Sequence, residues 1–247
     1  MMARLAEIWR HPIKAHGRER VEHATLAAGE TLPWDRRWAV AHEASKADGE
    51  TWAPCANFSR AAKAPGLMAI TAASDPSANT VTLVHPDRPD LTFDPDSDVD
   101  SFLDWVRPLM PADRAASARI VRSPGRGMTD SDFPSVSINA FASHGAVEGR
   151  IGRALSHARW RGNLWIEGTA PWEEFDWIGR QLQIGEVVLD IRQPITRCLA
   201  TAANPETGQR DADILSELDG FGHRDFGVLG AVITGGTIRP GDTVTLL

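Results

Sequence analysis

One of the two cysteines of this chain, Cys198, directly follows Arg197. A thiolate is the form of cysteine that attacks electrophiles or ligates soft metals, and a neighbouring guanidinium favours that form. Residues 186–191 form a hydrophobic run that predicts a strand, and residues 205–208 predict a turn. The end of a strand fixes a side chain firmly, as a metal ligand requires. Cys198 is therefore a candidate ligand or nucleophile, and the alternative is a small buried side chain without chemistry.

Several segments, in a fixed order along the chain, carry a resemblance to a known family. Residues 194–198 read P-x-x-R-C, and residues 204–208 read N-P-x-T-G. The other segments are I-W-R-H-P-I-K-A at 8–15, D-R-R-W-A-V at 35–40, R-x-N-L-W-I-x-G at 161–168, P-W-E-E-F-D-W at 171–177, F-G-V at 226–228 and G-x-I-x-x-G-D at 236–242. Together they resemble the MOSC superfamily, the molybdenum cofactor sulfurase C-terminal domain, preceded by its N-terminal β-barrel domain. Within that superfamily the chain is similar to the mitochondrial amidoxime-reducing component and to bacterial proteins that reduce N-hydroxylated bases.

The resemblance implies a molybdenum cofactor (Mo-molybdopterin), with Cys198 as catalytic residue and as the protein's thiolate ligand to molybdenum. The residues implied in cofactor binding are Lys14, Arg36, Asn139, Arg161, Asn163 and Arg197. Arginine suits the phosphate of the pterin because its planar fork donates two parallel hydrogen bonds. The chain departs from the family pattern at two positions, where Ala15 replaces the usual serine and His11 the usual tyrosine. Pyridoxal phosphate has no support in the sequence.

Each assignment has an ordinary structural alternative. An arginine or lysine is most often solvated surface charge, and Arg197 could form a structural ion pair. Asn139 follows a predicted strand and precedes a predicted helix, so it could be an N-cap. Cys55 lies in no matching motif and is interpreted as an incidental thiol, and three histidines have no predicted partner and are interpreted as surface or satisfied polar groups: His144, His157 and His223.

The activity that the resemblance implies is removal of oxygen from an N-hydroxylated or related N–O small-molecule substrate. A [2Fe–2S] cluster normally takes four cysteines, and this chain has two. We therefore expect no iron–sulfur cluster here, and electrons from a separate ferredoxin, flavoprotein or cytochrome. The alternatives are a molybdenum cofactor carrier or sulfur-transfer module that uses a Cys198 persulfide, and an interaction barrel with a degenerate site.

Composition bounds the class of protein. The 247 residues are 42% hydrophobic and 24% charged, which is ordinary for a globular protein. The net charge of −7 argues against broad nucleic-acid binding, although a local cationic pocket can still bind an anion. No apolar run approaches the roughly 20 residues that span a bilayer, and the N-terminus shows no apolar signal core. We therefore expect a cytoplasmic protein without membrane contact, and we expect no disulfide framework.

Turn residues punctuate the chain and separate short segments rich in valine, isoleucine, threonine and tryptophan. This pattern predicts a mainly β (α+β) fold: two β-barrel-like parts, a few short helices and a cofactor cleft between the parts. The predicted strands are 5–8, 38–42, 80–85, 136–138, 164–167, 187–191, 228–233 and 243–247, and the predicted helices are 99–106, 139–150 and 211–218. Ser97 or Asp98 could cap the first helix.

The predicted division of the chain places an N-terminal β-barrel-like domain at 1–96, a connecting helical segment at 97–118 and a MOSC domain at 119–247. Residues 123–133 are rich in glycine, proline, serine and aspartate, so we expect a mobile loop that could cover the cleft. For residues 172–177 we expect packing of the aromatic side chains, with the acidic residues facing water and no role in chemistry.

Overall fold

The computed structural model describes residues 2–123 and 125–247, and within them the chain forms fifteen strands and three α-helices. The strands are β1 (Arg4–Arg10), β2 (Glu19–Val21), β3 (Ala24–Leu26), β4 (Ala39–His42), β5 (Thr71–Asp75), β6 (Thr80–His85), β7 (Arg88–Phe93), β8 (Ser117–Val121), β9 (Val136–Ala140), β10 (Leu164–Glu167), β11 (Gln181–Ile184), β12 (Val187–Thr196), β13 (Asp225–Thr234), β14 (Gly236–Ile238) and β15 (Val244–Leu246). The helices are α1 (Val99–Val106), α2 (Phe141–Ile151) and α3 (Ile214–Asp219).

The largest sheet has eight strands in the order β15-β11-β12-β13-β9-β10-β1-β2. Only β9 and β10 pair in parallel, and the other neighbours in this sheet are antiparallel. The start of β1 also bonds to the chain before β15, since the Leu5 amide donates to the Asp242 carbonyl at 2.9 Å and the Val244 amide to the Ala3 carbonyl at 2.9 Å. These bonds bring the two ends of the sheet together, so the sheet curves into a barrel-like form.

The N-terminal strands contribute to this C-terminal sheet. β1 pairs with β10, and β3 pairs with β14. The predicted division at residues 96 and 97 therefore stays a prediction about sequence segments, because hydrogen-bonded sheets cross it. The rest of the N-terminal half forms a three-stranded sheet, β5-β6-β7, and β4 pairs with β8.

Four buried hydrophobic clusters lie in the described residues, and the two largest organise the fold. The larger core fills the barrel-like sheet with branched side chains from alternating positions of β12, such as Leu189 and Ile191, and from Leu5 and Ile8 of β1, where an irregularity in the strand interrupts the alternation. The second core packs α1 against β5–β7 and includes Ala203, which lies five residues after Cys198. The segment after Cys198 thus packs against the N-terminal half.

The prediction of a mainly β fold with few short helices is confirmed. Helix α1 has the predicted bounds, because its apolar residues recur at helical spacing and bury Phe102, Trp105 and Val106. Its predicted cap is wrong, since Asp98 occupies the N-cap position without a side-chain hydrogen bond to the helix. The second helix was predicted to begin at Asn139, but α2 begins two residues later, at Phe141, because Asn139 and Ala140 still belong to β9.

The loop over residues 123–133 is anchored rather than mobile along its second half, and Pro124 lies outside the described residues. Met128 is fully buried, and Thr129 and Ser131 are nearly so. The Trp52 indole donates to the Thr129 carbonyl at 2.8 Å. Arg126 donates to the carbonyls of residues 131–133. The composition predicted a loop correctly, but these bonds fix its position.

The acidic segment after Trp172 differs from the expectation in one residue. Glu174 is fully buried, and its Oε2 accepts a hydrogen bond from the Ser143 hydroxyl at 2.7 Å. Its Oε1 finds no partner among the described residues. Burial raises the pKa of Glu174 to about 7. The expectation that the acidic residues here face water is therefore wrong for Glu174.

This buried carboxyl predicts a pH-dependent stability. A raised folded-state pKa means that the folded protein binds a proton that the unfolded chain releases, so stability falls as pH rises from about 4.5 to about 7. We expect Glu174→Gln to gain stability relative to the wild type over this range, by about 2 kcal/mol between pH 5 and pH 8. Urea unfolding at both pH values measures it.

Glu173→Gln is the matched control, because Glu173 lies next in sequence and its Oε2 caps the Ala170 amide at 2.7 Å. Because the Glu173 charge also contributes to the raised pKa of Glu174, this variant should reduce the pH dependence slightly and should not abolish it. An advantage of Glu174→Gln that does not change with pH would contradict the assignment.

None of the helices in the described part of the chain combines the length and the apolar character needed to cross a membrane.

Candidate functional site

A cleft of about 270 Å³ lies where the N-terminal strands meet the barrel-like sheet. It is lined by Arg36, Thr129, Asp130, Ser135, Ser137, Arg161, Asn163, Gln193, Pro194, Ile195, Thr196, Arg197 and Leu229. We call it the central cleft. Four of the predicted cofactor-binding residues line it: Arg36, Arg161, Asn163 and Arg197.

Arg36 is fixed by two neighbours, the buried Asp35 and the half-buried Arg161. It forms an ion pair with Asp35, and its Nη2 donates to the Arg161 carbonyl at 2.9 Å. Burial alone would raise the pKa of Asp35, but the Arg36 charge and the hydrogen bond from His11 outweigh it and hold that pKa well below its usual range. His11, at the family's tyrosine position, donates its amide to Asp35 Oδ1 at 2.8 Å. Burial lowers the pKa of His11 to about 3, so its ring stays neutral and serves as part of the support.

Arg161 follows a short helical turn, His157–Trp160, and its backbone is left-handed with φ of 51°. Its Nη2 donates to the Gly17 carbonyl at 3.1 Å, whereas its buried Nη1 has no partner among the described residues. Burial, with the charges of Arg36 and Arg18, lowers the pKa of Arg161 to about 9. A bound anion would satisfy the free donor and relieve the repulsion between these cations.

Two residues that line the central cleft, Arg36 and Arg161, have a left-handed backbone, with φ values of 50° and 51°. Four other non-glycine residues in the described part of the chain share this conformation: Ala15, Trp34, Asn79 and Trp172. This conformation costs a residue other than glycine on the order of 1–2 kcal/mol, and such strain persists where the surroundings impose it, often at functional sites. The left-handed backbone of Arg36 and of Arg161 thus determines the direction in which each side chain leaves its loop.

Asn163 uses its amide to join strands. Its Oδ1 accepts from the Ser137 amide at 3.1 Å and from the Ser137 hydroxyl at 2.8 Å, and its Nδ2 donates to the Trp9 carbonyl at 3.1 Å. Asn163 is 1% exposed. It therefore shapes the wall of the cleft and fixes β1 to β9, with one amide hydrogen left for a ligand.

Arg197 lies beside a stacked pair of aromatic rings, Trp160 and Phe226, and donates to three acceptors. Its guanidinium lies about equally far from the rings of Trp160 and Phe226, at 5.5 and 5.6 Å. Its Nη1 donates to the Trp160 carbonyl at 2.7 Å, its Nε to the Phe226 carbonyl at 2.9 Å, and its Nη2 to Asn139 Oδ1 at 3.0 Å. Burial lowers its pKa to about 9. The predicted structural ion pair is replaced by carbonyl and amide acceptors.

Asn139 lies behind the central cleft and is fully buried. It is not an N-cap, because α2 begins after Ala140. A Cβ on Gly162 would lie 1.9 Å from its Nδ2, and a Cβ on Gly227 would lie 2.4 Å from its Oδ1. These two glycines leave room for the amide that orients Arg197, while Nδ2 has no partner among the described residues.

Lys14 also lies behind the cleft. Its Nζ donates to the Met128 carbonyl at 2.6 Å and to Asp130 Oδ1 at 2.6 Å. Burial lowers its pKa, and Asp130 opposes that shift. Lys14 thus fixes the loop that covers the cleft and shares its charge with Asp130, whose side chain is 67% exposed.

Cys198 lies two residues beyond the end of β12 with an exposed side chain, and it is not among the residues that line the central cleft. Cys55 is half-buried in the N-terminal half, and its Sγ accepts from Arg60 at 3.8 Å. In residues 2–123 and 125–247, no three histidine, cysteine or acidic side chains cluster as metal ligands. A metal at Cys198 would therefore need its other ligands from a cofactor.

The three histidines without predicted partners make hydrogen bonds in the structure. His144 accepts from the Trp160 indole at 3.0 Å, His157 lies 2.9 Å from Glu7 Oε2, and His223 accepts from the Asp225 amide at 3.3 Å. Sequence reasoning assigned no site role to the cleft residues Thr129, Asp130 and Ser137. Their signal was the polar loop at 123–133 and the serine alternation before β9.

The donors of the central cleft suit a phosphate-bearing anion. Three guanidinium groups line it, and among the described lining residues Asp130 supplies the one carboxylate. The partnerless Nη1 of Arg161 adds a donor without an acceptor. Cys198, whose thiolate form would be a soft metal ligand, follows the cleft residue Arg197 in the chain. The residues present therefore fit a ligand that combines a phosphate with a soft metal.

Family comparisons cover nearly the whole chain. The family described as "MOSC N-terminal beta barrel domain" matches residues 2–105, and the family described as "MOSC domain" matches residues 128–245. The chain is similar to molybdenum cofactor sulfurases of Anopheles gambiae, at 39% identity over 69 residues, and of Drosophila grimshawi, at 38% over 60 residues. These segments cover 28% and 24% of this chain and 8% of each sulfurase, so the match spans a small part of those relatives' length.

Solved structures with a detectable likeness are distant. The YUAD protein of Bacillus subtilis is 10% identical with a TM-score of 0.49, over 100% of this chain and 96% of that one. YiiM from Geobacillus stearothermophilus is 20% identical with a TM-score of 0.37, over 45% of this chain and 53% of that one.

Proposed function

Since the chain belongs to the MOSC family and carries the N-terminal β-barrel domain of that family, we propose that it binds the molybdenum cofactor in the central cleft. We further propose that it is an oxidoreductase that removes oxygen from N-hydroxylated or related N–O substrates. The observation that carries the proposal is the convergence of Arg36, Arg161 and Arg197 on one cleft in a protein of net charge −7. Guanidinium groups that repel one another are stable together when an anion lies between them.

Each cleft residue then has a role in binding. Arg161 offers its partnerless Nη1 to the phosphate, and Arg36 adds charge from the N-terminal half. Arg197 fixes the chain directly before the thiol, since its donors bind two carbonyls and Asn139. Asn163 shapes the wall of the pterin site. Lys14 and Asn139 act from behind the cleft, through the loop at Asp130 and through Arg197.

Cys198 is the proposed catalytic residue and metal ligand. When bound, the cofactor supplies a molybdenum centre that cycles between Mo(VI) and Mo(IV) and accepts oxygen from the substrate. The exposed position of Cys198 leaves the open side of the site accessible to a small molecule. With two cysteines in the sequence, the electrons are proposed to come from a separate ferredoxin, flavoprotein or cytochrome.

The direct test is cofactor content. Protein purified from a host that makes the cofactor should contain molybdenum and pterin in equal amounts, with about one of each per chain. Metal analysis by mass spectrometry and pterin fluorescence after oxidation measure both. A folded protein from such a host that contains neither would contradict the proposal.

A second function, cofactor transfer, draws on the same cysteine. The exposed thiol of Cys198 could carry a persulfide, and the curated relatives are named molybdenum cofactor sulfurases. An enzyme should be reoxidised by an N-hydroxylated compound after reduction. A carrier should instead deliver its cofactor or sulfur to an acceptor apo-enzyme and leave the N-hydroxylated compound unchanged.

A further inference from the structure

The turn that follows Cys198 is anchored by a buried arginine with no role so far. Arg159 is 1% exposed, and its Nη1 donates to the Thr201 carbonyl at 2.8 Å. Its Nη2 donates to Asp211 Oδ1 at 3.2 Å. A buried guanidinium is costly unless it is paired and hydrogen-bonded, so these two acceptors determine where Arg159 lies.

Thr201 connects Arg159 to Cys198. The Thr201 amide donates to the Cys198 carbonyl at 3.2 Å, and the Thr201 hydroxyl donates to the same carbonyl at 3.0 Å. Thr201 is 4% exposed. The carbonyl of Cys198 therefore receives two hydrogen bonds from a residue whose own carbonyl is bound by Arg159.

The other side of this turn packs against the N-terminal half. Ala203 is fully buried in the core around α1. Gly208 has φ of 69°, and a Cβ there would lie 2.7 Å from the Cα of Gly66. The turn is thus held between the two halves, and Arg159 is its buried polar contact from the C-terminal half.

The segment that carries Arg159 also forms part of the central cleft. Two residues later Arg161 points into the cleft, and the carbonyl of Trp160 accepts from Arg197 at 2.7 Å. Each of residues 159–161 thus has its own contact. Arg159 binds the turn after the thiol, the Trp160 carbonyl binds the guanidinium of Arg197 before it, and Arg161 presents its own guanidinium to the cleft. A shift of this segment would move the thiol relative to the cleft.

We propose that Arg159 is a positioning residue for Cys198: through Thr201 it fixes the backbone of Cys198 and sets where the thiol lies relative to the central cleft. The proposal rests on the proposed function only in taking Cys198 as the reactive group. Arg159 itself contacts neither the cleft nor the thiol in the contacts described above.

The first test uses cofactor-free protein and hydrogen exchange. In Arg159→Met we expect the Thr201 amide to exchange at least about tenfold faster, because its carbonyl loses the anchor that keeps the turn closed. Amides within β9 and β13 should keep their wild-type rates. Arg159→Lys retains a cation near Asp211 and Thr201 and should restore part of the protection.

Arg153→Met is the matched control. Arg153 also binds Asp211, at 2.6 Å to its carbonyl and 3.3 Å to Oδ2, but it donates to no group of the 198–202 turn. We expect this variant to leave the Thr201 exchange rate within about twofold of wild type. An unchanged Thr201 rate in Arg159→Met, or an equal increase in Arg153→Met, would overturn the proposal.

If Arg159→Met fails to fold, hydrogen exchange in Arg159→Lys and in Thr201→Val tests the proposal instead. Thr201→Val removes the hydroxyl bond to the Cys198 carbonyl and keeps the backbone. Faster exchange at residues 199–202 in both supports the proposal, and wild-type exchange in both overturns it.

The second test uses the loaded protein. Arg159→Met should keep its molybdenum and pterin, because Arg161 and Arg36 are untouched, while kcat falls by about tenfold and KM stays near wild type. Faster exchange with an unchanged kcat would overturn the positioning role. If the wild-type protein holds no molybdenum, the proposed function is refuted, but the hydrogen-exchange result still tests whether Arg159 positions the turn.

Discussion

The largest expected effect is that of Cys198→Ser, which should abolish reduction of an N-hydroxylated substrate by a chemical donor such as reduced viologen. A serine oxygen is a harder ligand than a thiolate, so the redox potential and ligand set of a metal bound there change together. The expected loss in kcat is more than about 100-fold. Pterin should stay largely bound, because Arg36, Arg161 and Asn163 are unaltered.

Cys55→Ser is the internal control for this variant. Cys55 is half-buried in the N-terminal half, lies in no segment that matches the family pattern, and accepts a hydrogen bond from Arg60 at 3.8 Å. Its replacement should leave activity close to wild type, and X-ray absorption at the molybdenum edge should show one sulfur fewer only in Cys198→Ser. An active Cys198→Ser protein would exclude the thiolate as the required ligand. Equal losses in both variants would mean that the two thiols act together, which the structure gives no reason to expect.

The sequence motifs that resemble the family pattern were sufficient to identify four of the residues that line the central cleft: Arg36, Arg161, Asn163 and Arg197. Arg161 and Arg197 lie in short motifs at the edge of hydrophobic strands, and such local patterns place side chains at strand ends. Arg36 follows the same logic in the N-terminal half. The mainly β fold was predictable for the same reason, since β-branched residues alternate between turn signals.

The contacts that hold those groups were not predictable, because they join residues far apart in the chain. Asn139 reaches Arg197 across 58 positions, and Lys14 reaches Asp130 across 116. No local pattern shows that the Lys14 ammonium group donates its hydrogen bonds to the loop at Met128 and Asp130. Nor does any local pattern show that β1 pairs with β10. Tertiary pairing decides such roles.

Glu174 shows a second limit of sequence reasoning. Two adjacent glutamates in an acidic segment look alike, and the usual expectation is that both face water. Glu173 and Glu174 begin a 3-10 turn in which Glu174 and Trp177 are the buried residues. Neighbouring residues of such a turn point about 120° apart, so Glu174 faces the interior and Glu173 does not, and composition carries no information about which of the two is buried.

The second large effect expected is that of Arg161→Ala on cofactor retention. A hydrogen bond to a charged group contributes about 1.5–3 kcal/mol, so the affinity for the cofactor should fall roughly ten- to a hundredfold. Cofactor remaining after dialysis, measured as molybdenum per chain, reports the change. Asn163→Ala should also lower the affinity for the cofactor, but less, because most hydrogen bonds of the Asn163 amide go to Ser137 and Trp9.

Arg107→Ala is the control for Arg161→Ala, since Arg107 is 74% exposed and pairs only with its helix neighbour Asp104. Its cofactor content should equal that of wild type, and circular dichroism should show a folded protein in both variants. Burial and the neighbouring cations lower the pKa of Arg161, yet a guanidinium keeps its proton under assay conditions. Arg161→Ala therefore removes a full positive charge from the cleft. An Arg161→Ala protein that retains full cofactor would show that Arg161 does not bind the phosphate. One that unfolds would show that Arg161 supports the fold.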